Sequence, residues 1–158
     1  MAPRQSVLPL PYRLFFLTIE PISALVGAFF AHFRQDEYLA MTHASSAPSS
    51  AIPLGTSIVM SQLANLYLLF ALNEALVLRS TGDIRVWKTV LFVLLLADFG
   101  HLYSVSGHGA WVYWDARRWN AIDFGNVPFV YLGAAMRMAF IYGIGLGKGQ
   151  PYGKARKA

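Results

Sequence analysis

Apolar residues in this chain come in long unbroken runs, without the period-two alternation of barrel strands or the polar stripe of a surface helix. Four windows are nearly free of charge: Leu14 to Phe33, Thr56 to Leu78, Thr89 to Ser106, and Phe124 to Leu146. They are 20, 23, 18 and 23 residues long, together 84 of 158. Crossing a bilayer core takes about 20 helical residues at ~1.5 Å each, so each window fits one crossing. A soluble bundle needs a polar face on every helix, and these windows have none. The predicted fold is all-α, a four-transmembrane-helix bundle over residues 14–146. A cytoplasmic segment, 1–13, precedes it, and a flexible basic tail, 147–158, follows.

Composition agrees. Hydrophobic residues make up 56% of the chain and charged ones 13%, with a mean hydropathy of +0.44. That is about half the charged share of a soluble domain, and it excludes a disordered chain. There is no cysteine, which excludes disulfide scaffolds, thiolate metal sites and cysteine nucleophiles. Residues 1–13 lack a short apolar core with a small-residue cleavage site, so the first span is expected to act as its own insertion signal. The Ser-, Pro- and Ala-rich stretch Thr42 to Gly55 reads as an irregular loop.

The formal charge of +5 is mainly an orientation signal. With four crossings, the termini and the 79–88 loop share one side. That side holds Arg4, Arg13, Arg79, Arg85, Lys88, Lys148, Lys154, Arg156 and Lys157, against Arg34, Arg117 and Arg118 on the other. The positive-inside rule places both termini in the cytoplasm, and the endoplasmic reticulum is the expected membrane. No basic stripe interleaved with aromatics suggests nucleic acid. Trp111, Tyr113, Trp114 and Trp119 form an aromatic belt before the fourth span.

Each window keeps one formal charge: Glu20, Glu74, Asp98 and Arg137. A charge at the bilayer centre costs about 3 kcal/mol on insertion scales, so such residues face the bundle interior with a partner or a task. Glu20, Glu74 and Arg137 fall in the terminal half of the membrane, where a carboxylate from span one or two is the natural partner of Arg137. In the other half, Asp98 and His101 are three residues apart on span three, as are Asp123 and Asn126 at the start of span four. A carboxylate beside an imidazole suits general acid–base work. Candidate catalytic residues are therefore Asp98, His101 and Asp123, with Glu74 in reserve. Asn126, Asn65, Trp119, Arg137 and Glu20 are candidates for substrate contact. The alternative for all of them is interhelical hydrogen bonding and a structural ion pair. No HExxH or comparable pairing marks a metal site, and no cofactor is expected. The Gly143–Gly149 run ends a helix instead of following a strand, so it is read as helix termination and not a phosphate loop.

The segments LPLPYRLFFLTIEPISALVGAFFAHF, NLYLLFALNEALVLRS with DIRVWK, LLLADFGHLYSV, and RRWNAIDFGNVPFVYLGAAMR resemble a family of small four-span membrane proteins of filamentous fungi, largely of unknown function. The resemblance covers roughly residues 9–146. In general character it is similar to membrane-embedded epoxide hydrolases and cyclases of fungal polyketide and terpenoid pathways. This implies an enzyme that opens an epoxide on a lipophilic small molecule by intramembrane acid–base chemistry. The alternative is a non-catalytic membrane protein, a lipid- or sterol-binding module or an assembly partner, whose buried polar residues are structural. The bilayer is the expected surrounding in either case, and homo-oligomerisation is left open. A transporter would need it, since four spans show no inverted repeat.

Overall fold

In a computed structural model of the chain, the described residues are 8–46 and 49–147, and they form helices and turns without a strand. Four helices are long and apolar enough to cross a membrane: α1 (Leu10–Phe33), α3 (Leu54–Leu78), α4 (Ile84–His108) and α5 (Ala121–Ile141). A short helix, α2 (Gln35–Thr42), follows α1. The molecule is thus an all-α four-span bundle. Most of the tail expected to be flexible lies outside the described residues.

Helix ends differ from the apolar windows for local reasons. The α1 helix begins four residues early because Pro9 caps it and Pro11 sits in its first turn, where a missing N–H costs nothing. For α4, the Asp83 side chain accepts from the Arg85 N–H at the start. Although the last apolar window runs to Leu146, α5 ends at Ile141, because Gly143 and Gly145 adopt positive φ angles of 81° and 71°. The short helix α2 lies where the sequence offered no apolar signal; it carries Asp36 and Glu37 in its first turn, favourable to the helix dipole.

Near the termini all four spans share one core. Tyr12, Phe16, Leu78, Trp87, Leu91 and Phe140 are buried together there. Trp87 stacks on Phe140 at 5.4 Å between ring centroids, and the Tyr12 hydroxyl donates to the Ile144 carbonyl at 2.7 Å. At the opposite end the core divides. Ala31, Met60 and Ala64 join α1 to α3, while Val105, Val112 and Val127 join α4 and its following loop to α5. Small residues let α1 and α3 approach closely: a Cβ on Gly27 would lie 3.2 Å from the Tyr67 ring. Polar loop contacts span the divided end, where the Asn120 side chain donates to the Met41 carbonyl at 2.7 Å.

Two stretches of the spans are π-helical, Phe15–Ile19 in α1 and Asn73–Leu78 in α3. Pro21 explains the first. It has no N–H for the Leu17 carbonyl, and Arg79, just past the end of α3, donates to that carbonyl instead, at 2.6 Å. In the second, the Asn73 side chain donates to the Leu69 carbonyl at 3.0 Å and competes with the regular ladder. Each disturbed stretch bears on a buried carboxyl: Glu20 directly follows the first, and Glu74 lies within the second.

Candidate functional site

The four intramembrane charges meet at one point. Arg137 on α5 is fully buried, and its Nη2 donates to Glu20 Oε1 of α1 at 2.5 Å. Its Nη1 donates to Asp98 Oδ2 of α4 at 2.9 Å, and Glu74 Oε1 of α3 lies 3.6 Å from Nη2. Every span therefore contributes one charged side chain. The Phe16 and Phe70 rings stand 5.7 and 5.6 Å from the guanidinium carbon and close the site with apolar walls.

Burying a guanidinium costs several kcal/mol, which only well-formed charged hydrogen bonds offset. Arg suits this position because its planar fork can serve two carboxyls at once without losing its charge. Gly133, one turn earlier on α5, makes the room: a Cβ there would lie 2.6 Å from Nη1 of Arg137 and 3.3 Å from Glu20 Oε1. Gly133 is not among the residues singled out from the sequence, although a glycine four residues before a lone intramembrane arginine, on the same helix face, is a legible signal.

The pairing differs from expectation in one respect. A carboxylate from span one or two is the expected partner of Arg137, and Glu20 of α1 takes that place; Asp98, expected beside His101 and Asp123, joins it. Asp98 lies fourteen residues into α4, nearly mid-span, and turns to the guanidinium, which offers more than an imidazole can. His101 instead sits beside Asn126, with its Nε2 buried and unpartnered. Asp123 is taken up by a capping box: it accepts from the Asn120 N–H at 3.0 Å, while its own N–H donates to Asn120 Oδ1 at 3.0 Å. The proposed Asp98–His101–Asp123 acid–base group is therefore not assembled. Trp119 is also a tie within its loop, donating to the Val112 carbonyl at 2.8 Å.

The charged cluster holds more acid than Arg137 requires. One guanidinium faces three carboxyls, and Glu20 Oε2 and both oxygens of Glu74 are buried without a hydrogen bond. Among the described residues, no group of three or more His, Asp or Glu side chains is placed to hold a metal ion.

Open space lies elsewhere. An open groove of about 410 Å³ runs along the outer face of α1 and α3 at the divided end, walled by the exposed side chains of Leu25, Phe29, Phe33 and Leu68, with His32, Ser61 and Asn65 as its polar groups. A second, of about 330 Å³, lies along α3 beside Ser57, Ser61, Gln62 and Asn65. Of the residues expected to touch substrate, Asn65 borders both.

A family model described as a domain of unknown function, DUF7704, matches residues 5–147. The chain belongs to this family. The match takes in all four spans and each residue of the charged cluster, and the family description carries no activity. No curated protein and no solved structure matches the chain.

Proposed function

We propose that this is a multi-pass membrane protein that binds a lipophilic small molecule in the groove along α1 and α3, and that the four-charge cluster, in the other half of the bundle, clamps the spans together without catalysing a reaction. The observation behind this reading is the closure of the cluster. Arg137 is wholly enclosed by carboxyls and aromatic rings, while the roomy, mainly apolar groove lies in the other half. Binding grooves of this kind are lined by hydrocarbon with a few polar groups that fix orientation, and His32 and Ser61 are suited to that part. The nine-to-three distribution of basic residues supports termini in the cytoplasm, and the endoplasmic reticulum is the proposed membrane.

The test is to purify the full chain in mild detergent and identify its bound lipophilic compounds by mass spectrometry. A discrete compound is expected with the wild type and is lost when Ala28→Trp, at a residue that also lines the groove, fills it. An unchanged compound profile in Ala28→Trp rejects the site.

The surplus of carboxyls favours a second reading, the acid–base enzyme of a lipophilic epoxide. A clamp for one guanidinium does not need a third carboxyl, so Glu74, buried and without a hydrogen bond, is the group that can be spared as a proton donor. Both π-helical stretches adjoin the cluster, and π-bulges recur at functional sites. Under this reading Glu74→Gln folds normally and alters the metabolite profile of the producing cell as a gene deletion does. A profile like the wild type removes the enzyme reading.

A further inference from the structure

The α3 helix gives more of itself to lipid than the other spans. In its most apolar window 17% of residues are buried, against 28–33% in α1, α4 and α5. On its outer surface Ile58, Gln62, Asn65 and Leu69 are all exposed, in the α-helical part of the span before the π-helical stretch. Their spacing of four, three and four residues keeps them on one helix face, as at the seam between two packed helices.

Two positions on this seam carry carboxamides. Asn65 lies eleven residues after Leu54 and thirteen before Leu78, at the middle of the crossing at ~1.5 Å per residue. Gln62 is one turn away on the same face. The hydrogen bonds of neighbouring polar side chains go elsewhere, Gln35 to Ser61 and Asn73 to Leu69, and do not involve Asn65 or Gln62. Hydrocarbon supplies no substitute partner, so a carboxamide facing it is costly.

We propose that this face pairs with the same face of a second copy of the chain, forming a parallel dimer about a twofold axis along the membrane normal. Three features select a second copy as the occupant. Copies in one membrane share their topology, so their α3 helices run parallel with Asn65 at equal depth. A carboxamide both donates and accepts, so it bonds its own counterpart across a twofold axis. The flanking seam residues are aliphatic, and Asn at such a seam sets register and oligomer state in coiled coils. This inference does not rest on the ligand groove along α1 and α3.

The chain has no cysteine, so single cysteines report proximity without background. Leu69→Cys on the seam and Phe92→Cys, exposed on α4, are oxidised in membrane vesicles containing the full chain. Leu69→Cys is expected to give a disulfide dimer, with about tenfold less from Phe92→Cys. Adding Asn65→Leu and Gln62→Leu to Leu69→Cys is expected to lower the dimer yield about fivefold. Circular dichroism checks that the triple variant remains helical, and Asn65→Gln alone should keep the yield. Equal cross-linking at the two positions overturns the proposal, as does a yield that Asn65→Leu and Gln62→Leu leave unchanged. A ligand or an unrelated protein on this face would leave Leu69→Cys monomeric, which also overturns it.

Discussion

The two halves of this bundle solve the same problem in opposite ways. Near the termini, the polar groups are strong charges, and all four spans close around them with Phe16, Phe70, Trp87 and Phe140 as packing. At the other end, the polar groups between the spans are amides, hydroxyls and imidazoles, the Asp123 carboxyl is used up in a helix cap, the spans pair two by two, and an open groove runs along α1 and α3. A charge in hydrocarbon forces convergence because its cost is large and directional. A serine or carboxamide costs less, so it tolerates an open surface where a ligand or another helix can supply the missing hydrogen bond. The closed half holds the fold together, and the open half is left for recognition.

Breaking the charges should therefore cost most. Arg137→Met strands three carboxyls in the core, and removing one partner of a buried ion pair costs about 3–5 kcal/mol. The expected result is loss of folded, monodisperse protein on extraction; undiminished yield and melting temperature would show that the cluster is no clamp. Gly133→Ala should follow at about 1–3 kcal/mol, since its Cβ would crowd a guanidinium already held by two hydrogen bonds. Thermal unfolding in detergent measures it, with a lower midpoint expected.

The open half should respond less. Asn120→Ala removes the capping box of α5 and the bond to Met41, costing about 1 kcal/mol, again read from the melting midpoint. Tyr38→Phe removes the 3.0 Å hydrogen bond to Tyr67, worth about 1 kcal/mol. Burial and the neighbouring Tyr67 push the Tyr38 hydroxyl above the ordinary phenol value. Because the folded value lies above the unfolded one, this contribution is complete below about pH 10 and fades as pH rises through the folded value. Wild type and Tyr38→Phe should accordingly differ at neutral pH and converge in strong alkali. Smallest of all, Ser61→Ala at the groove should change stability by less than about 0.5 kcal/mol. A loss as large as that of Gly133→Ala would erase the contrast between the halves.

The number of spans, their rough limits and the partnership of Arg137 with an acid on another span were legible in the sequence. Run length and the cost of charge in hydrocarbon leave few alternatives. The destination of Asp98 was not legible. Spacing on one helix shows that Asp98 and His101 share a face, but not what stands opposite, and the nearest strong cation won. Asp123 was misread for a similar reason: three residues after Asn120, it was better placed to cap α5 than to reach into the bundle.

Apolar run length and rare charges thus determined by themselves that this chain is an all-α bundle of four spans with buried charge partners. Only the tertiary structure decided that all four charges share one closed site, that Gly133 makes room for it, and that free space and free carboxamides lie in the other half. Hydropathy is a property of each segment in turn, whereas the pairing of charges and the leaving of gaps depend on how helices distant in sequence cross.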